Sequence, residues 1–307
     1  MKLPNGDHIK SLEANFGPSE FIHFEIQGRL GNQLFGLSEA HRLGKFFKRK
    51  VLLDVSSVSI EYGEPEWLEY VAEWEWAVVS KVRPSYPERQ QYRRVNVGVI
   101  DGKTQKANSI FHGFNPSIEQ IEESGLFVKG VFPFGQIDDR QTNTEKLAMC
   151  FRRGDYHNNP HLGILPIHYY RKALEALGQS PQTKETTIFS DSKAETIEFL
   201  EENKIPFDRF DCEMSALAAL KNLSSYGFIV GANSTFTFWG TYFSKGKFTL
   251  PSPIYVADPK WGRDLFEGSI AVKYMHFSRS RYFVRILLRK VRTQISRKVD
   301  RIRSILT

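Results

Sequence analysis

Short apolar runs alternate with longer stretches in which apolar side chains recur every three or four positions, from about residue 21 to residue 250. The short runs read as strands over 21–26, 51–55, 95–100 and 109–114, then over 147–151, 186–189, 227–230 and 248–250. The longer periods read as helices over 37–48, 116–125, 166–177, 193–203, 214–223 and 237–243. Within 166–177, for example, Tyr169, Tyr170, Ala173, Leu174 and Leu177 fall on one face. Strands alternating with helices predict an α/β protein with doubly wound parallel sheets and right-handed crossovers. Positions 136–145 are polar and charged without a period, which places a domain boundary there. The expected organisation is a lead-in over 1–20, a first domain over 21–140, a second over 141–272 and a tail over 273–307.

The segment 67–79 sets Trp67, Tyr70, Trp74 and Trp76 among glutamates. Aromatic faces edged by carboxylates suit a sugar ring. The same spacing suits an amphipathic helix whose rings face the core, and the pattern favours the helix.

Composition narrows the class. A chain of 307 residues is long enough for two domains, and 41% hydrophobic with 25% charged residues is the balance of a soluble globular protein. No run approaches the roughly 18 apolar residues of a membrane span. The first residues are polar and lack the apolar core of a signal peptide, and the sequons at Asn222 and Asn233 then read as chance. With only Cys150 and Cys212, no disulfide framework is implied, and the expected location is the cytoplasm.

The net charge of +7 is unevenly placed. Residues 273–307 hold eleven Lys/Arg and one acid, a local +10, so the preceding 272 residues carry −3. That argues against nucleic acid as a partner of the main body. In the tail, Val284, Leu287, Leu288, Val291, Ile295, Val299, Ile302, Ile305 and Leu306 make one apolar stripe among arginines and lysines. A basic amphipathic helix of this kind suits either the surface of an anionic membrane or packing on the protein itself.

Candidate chemistry concentrates where the strand 147–151 gives way to Arg152, Arg153, Gly154 and Asp155. Two guanidinium forks at the carboxyl end of a strand can grip a phosphate, and Gly154 lets the backbone come close. The alternative is a strand end with solvated arginines, one paired to Asp155. An earlier glycine-rich stretch, Gly28 to Gly36, follows the first strand. It lacks the dinucleotide-binding spacing and the P-loop ending, so it reads equally as a backbone approaching a ligand or as a tight turn.

Together the stretch 28–35, the run Arg152-Arg153-Gly154-Asp155-Tyr156 and the element Asn233-Ser234-Thr235-Phe236-Thr237-Phe238-Trp239-Gly240 resemble the α-1,2-fucosyltransferase family, glycosyltransferase family 11. Phe189-Ser190-Asp191 and Leu165-Pro166-Ile167-His168-Tyr169-Tyr170 add to the likeness, which runs from about residue 24 to residue 261. The resemblance implies a GT-B architecture of two Rossmann-like domains facing across a cleft, with the donor held mainly by the second. It implies an inverting, metal-independent transfer of fucose from GDP-β-L-fucose to a sugar hydroxyl, such as O2 of a galactoside. GDP-fucose is then a donor substrate, and no cofactor or metal site is expected. The absence of any Asp-x-Asp pair fits that expectation. A lipid-linked glycan acceptor would match a tail seated peripherally on the inner face of the membrane.

On this likeness the donor site comprises Arg152, Arg153, Asp191, Asn233, Ser234, Thr235 and Phe236, with Gly28, Gly31 and Asn32 as a cleft loop. Charge separates as the glycosidic bond breaks, so a fixed cation must face the departing diphosphate. Arg153 takes that role first and Arg152 second, although either can instead brace the turn through Asp155 or Asp191. Asp155 is the candidate base, with His157 and His161 as rivals. Ser234 and Thr235 read equally as phosphate ligands or helix caps. Three departures stand out. Cys150 replaces the family's histidine, Phe238 replaces the first Trp of a pair, and Asn115-Pro116-Ser117 stands where Gln-Ser is frequent. The first leaves a second reading open, a catalytically silent relative that binds a GDP-sugar or a glycan.

Overall fold

The computed structural model describes residues 21–71, 74–81, 93–96, 109–112, 118–132, 143–158, 164–211, 215–252 and 269–273. The expected lead-in, the basic tail beyond residue 273, His161, Cys212 and the 115–117 departure lie outside the described residues.

In chain order the first elements are β1 (Phe21–Glu25), α1 (Leu30–Phe47), β2 (Lys50–Asp54), α2 (Ser56–Tyr62), α3 (Leu68–Val71), β3 (Ala77–Ser80), β4 (Arg93–Asn96), β5 (Ser109–His112) and α4 (Ile118–Val131). Then come β6 (Asn143–Phe151), α5 (Ile167–Leu177), β7 (Thr186–Ser190), α6 (Lys193–Glu202), β8 (Arg209–Asp211), α7 (Ala216–Ser224), β9 (Tyr226–Val230), α8 (Thr235–Phe243), β10 (Lys247–Ser252) and β11 (Ser269–Lys273).

They form two compact units. One comprises Met1–Thr142, Glu213–Ser225 and Thr235–Ser244; the other comprises Asn143–Cys212, Tyr226–Ser234 and Lys245–Thr307. Each contains a sheet whose described pairings are all parallel, so the chain has the two α/β, Rossmann-like units that a GT-B protein requires.

In the first unit the strand order is β3-β2-β1-β5-β4. Ile22, Phe24, Val51, Leu52 and Leu53 are buried, as expected of strands covered on both faces. Helices α7 and α8, which the sequence reading placed in the second domain, belong here. The reason is the composition of α8. Thr237, Phe238, Trp239, Gly240, Thr241 and Phe243 are all buried, so this helix needs cover on more than one side. Helix α1 supplies part of it, with the Phe35 ring 5.2 Å from Phe238 and 4.5 Å from Trp239. Helix α7 supplies more, and Leu223 presses so close to Gly240 that a Cβ there would lie 2.4 Å from its Cδ2. The start of α7 is anchored by Glu66, whose carboxylate accepts the N–H groups of Ala216 at 2.7 Å and Leu217 at 2.8 Å.

The second unit has the order β11-β10-β9-β6-β7-β8. Counted from β6, this is the 3-2-1-4-5-6 order of the dinucleotide-binding fold, with its reversal point between β6 and β9. Leu147, Ala148, Met149, Cys150 and Phe151 of central β6 are all buried, which explains their unbroken apolar run. Helix α5 buries the five residues the periodicity singled out and ends at Gly178 with φ of +63°.

Two expectations are corrected. The stretch 28–36 is mostly helix, because α1 begins at Leu30. Only Gly28, with φ of +73°, makes the turn. The segment 67–79 is no continuous helix, since α3 stops at Val71 and β3 begins at Ala77. Its rings stack on one another, Trp67 on Trp74 at 6.2 Å and Trp74 on Trp76 at 5.1 Å. Helix α2 and strands β8 and β11 have no counterpart in the pattern; β8 is three residues long, too short to show a period. Among the described residues no helix is long and apolar enough to cross a membrane.

Candidate functional site

In the second unit the carboxyl ends of β7, β6 and β9 lie side by side and carry Asp191, Arg152–Arg153 and Asn233–Ser234 just beyond them. This is the reversal point of the sheet, where such folds bind ligands. Arg152 bridges two carboxylates, with Nη2 3.0 Å from Asp155 and Nη1 3.0 Å from Asp191. Its guanidinium also lies 5.0 Å from the centre of the Tyr156 ring. Asp191 accepts the backbone N–H of Arg153 at 2.9 Å as well. A Cβ on Gly154 would come within 2.8 Å of the Asp191 carboxylate, so the residue there must be small. Asp191 therefore braces the turn, as one of the sequence alternatives had it, and its side chain is only 8% exposed.

Arg153 is held differently. Its guanidinium carbon sits 3.9 Å from the centre of the Phe199 ring on α6. Its Nη1 is buried and meets no hydrogen-bond acceptor among the described residues. Burial lowers its pKa, against the pull of Tyr170, Glu195, Glu202 and Asp191. Asp155, the expected base, is half exposed and engaged with Arg152. His157 lies in the 3-10 turn over Asp155–Asn158.

Two tyrosines fix the β9–α8 connection. The Tyr156 hydroxyl donates to the carbonyl of Asn233 at 2.8 Å, and that of Tyr169 donates to the carbonyl of Gly231 at 2.6 Å. Burial pushes the Tyr156 pKa up to about 12, with Arg152 opposing it. Asn233 is fully buried, and Ser234 and Thr235 nearly so.

The remaining sequence candidates come together in the first unit, where α1 and α8 both begin. The Thr235 hydroxyl donates to Asn32 Oδ1 at 2.8 Å, and Trp239 Nε1 donates to the Gly31 carbonyl at 3.0 Å. A Cβ on Gly31 would stand 2.5 Å from the backbone N of Phe236. Gln33 donates to the Gly28 carbonyl at 2.7 Å and accepts from Trp67 Nε1 at 2.7 Å, tying the turn to the Trp segment.

The structure thus gathers Arg152, Arg153, Asp155, Asp191 and Asn233 in one unit, and Gly28, Gly31, Asn32, Thr235 and Phe236 in the other. Cys150 is buried at 2% exposure, opposite Phe189 in register. Phe238, fully buried, serves as a packing residue. Phe199 was missed by sequence reasoning, because its spacing marks only an ordinary helix position. Tyr156 and Tyr169 stood within quoted motifs, but no local pattern shows that both reach the β9–α8 connection. Among the described residues no group of three or more His, Cys, Asp or Glu is placed to hold a metal ion.

No protein-family profile matches the sequence. The chain is similar to the O-antigen biosynthesis glycosyltransferase WbnK of Escherichia coli, with 30% identity over 125 residues, 39% of this chain. The matched part spans 40% of the length of that curated relative. Among solved structures, a mutant of Arabidopsis thaliana FUT1 in complex with GDP aligns with 12% identity over 79% of this chain and 73% of that one, with a TM-score of 0.44. The fucosyltransferase NodZ from Bradyrhizobium aligns with 13% identity over 73% and 93% of the two chains, with a TM-score of 0.46. POFUT1 in complex with GDP gives 12% identity over 85% and 99%, with a TM-score of 0.39.

Proposed function

We propose that the chain is a glycosyltransferase that moves fucose from GDP-β-L-fucose to a sugar hydroxyl of a glycan, with O2 of a galactoside as the first acceptor to test. The observation that carries this reading is the braced Arg-Arg-Gly-Asp-Tyr turn at the reversal point of a 3-2-1-4-5-6 sheet. The family motifs and the partial likeness to an O-antigen glycosyltransferase support it. In the reaction the bond between fucose C1 and the diphosphate oxygen breaks while the acceptor oxygen bonds to C1 from the opposite face and gives up its proton to a base, for which Asp155 is the candidate. Negative charge then collects on the diphosphate, and guanidinium groups at a strand end neutralise it without a metal. The residues assigned to the donor are those around Arg152 and Arg153, with Asn233 and Ser234 beside them.

The test is GDP release from GDP-fucose, measured with a panel of galactosides and with excess chelator. Turnover that needs an acceptor and survives chelation supports the reading. GDP binding without turnover on any acceptor would instead identify the silent relative that Cys150 leaves open. Arg153→Ala should lower kcat by about 10²–10³, as for loss of one charge-stabilising donor, while leaving the fold intact. Arg152→Ala should lower both activity and stability, because it leaves Asp155 and Asp191 without their shared cation.

A further inference from the structure

The two arginines of the turn are immobilised by opposite means. Arg152 spends both terminal nitrogens on carboxylates. Arg153 has no carboxylate at ion-pair distance among the described residues, and its guanidinium carbon lies instead 3.9 Å from the centre of an aromatic ring. An aromatic face attracts a guanidinium through its negative π-cloud, while the N–H donors lie in the guanidinium plane. A contact over the ring holds the cation without using an N–H donor, and Nη1 meets no acceptor among the described residues. An ion pair would hold it and use them up.

The ring is itself fixed. Phe199 meets Phe151 and Tyr170 edge-on, each at 6.0 Å, and those two rings stack at 4.4 Å. Glu195 and Glu202, on either side of Phe199 along α6, favour the charged form of Arg153. Among the described residues the buried Nη1 of Arg153 meets no acceptor, a loss of hydration that an arriving anion would offset. Resting on the donor reading above, we infer that Phe199 is the positioning residue that holds Arg153 with its donors open for the diphosphate of the nucleotide sugar.

GDP affinity by calorimetry and donor kinetics separate this from a merely structural role. Phe199→Met keeps most of the apolar volume and removes the π-face, and Phe199→Leu serves as a second variant should the first fold poorly. Each should weaken GDP binding roughly 2- to 30-fold, the range a cation–π contact spans. Phe199→Tyr should restore binding to within about twofold. In an Arg153→Ala background the same replacements should change nothing further, since the contact is already gone. Equal losses with and without Arg153, or no loss in either variant, would assign Phe199 to packing alone. A wild-type protein that binds no GDP would overturn the donor reading itself, and this inference with it.

Discussion

Gly31→Ala tests whether α1 and α8 meet as described. A Cβ at this position would lie 2.5 Å from the backbone N of Phe236, 2.6 Å from the carbonyl carbon of Thr235 and 2.6 Å from its Oγ1. Carbon contacts are comfortable only at about 3.5–4.0 Å, so one helix start must move by roughly 1 Å. Two of the three atoms are backbone and cannot rotate away. Overpacking of this kind costs about 1–3 kcal/mol. Alanine in place of a helical glycine recovers up to about 1 kcal/mol, which partly hides the loss. Gly130 in α4 is the internal control, because a Cβ there meets nothing within 4 Å. Gly130→Ala should therefore show the helix gain alone, and the difference between the variants isolates the steric penalty at about 1–3 kcal/mol. Displacement would also stretch the Thr235–Asn32 hydrogen bond, now 2.8 Å, and take away about another 1 kcal/mol. Urea unfolding of both variants measures this directly. Equal midpoint shifts in the same direction would refute the reasoning and place α8 away from Gly31.

Asp54 is pulled toward a raised pKa by burial, but hydrogen bonds from His23 and Ser56 outweigh this and hold it below the usual carboxylate value. A carboxylate depressed on folding contributes stability above its unfolded pKa and loses it as the pH falls through the folded one. Asp54→Asn should thus lower the urea midpoint at pH 7, and the gap from wild type should shrink below about pH 4; a constant gap would refute the linkage. For the tail, removing residues 279–307 should abolish sedimentation with anionic vesicles at low salt and leave the fold intact. Equal binding by both forms would refute a membrane role, and unfolding on truncation would favour a packed helix.

The alternation of strands and helices was legible because both sheets are covered on two faces. Runs such as Leu147–Ala148–Met149–Cys150–Phe151 need no partner pattern to be read. The arginine turn was legible as chemistry, since two cations, a glycine and a carboxylate at a strand end are conspicuous. Its internal division was not. Whether Arg152 or Arg153 takes the carboxylates depends on Asp191, 38 residues beyond Arg153, and on Phe199, which reads as any amphipathic position. The contact between Asn32 and Thr235 spans 203 residues and leaves no trace in either local sequence. The aromatic segment misled about helix but not about packing, because Trp74 and Trp76 meet Phe127 of α4 and Trp67 bonds to Gln33 of α1 from a segment that is not one continuous helix.

The passage of α7 and α8 into the first unit separates the order of synthesis from the order of folding. All five strands of the first sheet and helix α1 have been made once residue 142 is reached, yet the rings that cover Phe35 belong to Phe238 and Trp239. At about 5–20 residues per second, translation needs roughly a further 5–20 seconds to reach the end of α8. During that interval the face of α1 that meets α8 lacks the Phe238 and Trp239 rings. Chaperone demand should therefore persist until four of the six strands of the second sheet have been made, and a gene fragment cut at the apparent domain boundary should yield a sticky polypeptide.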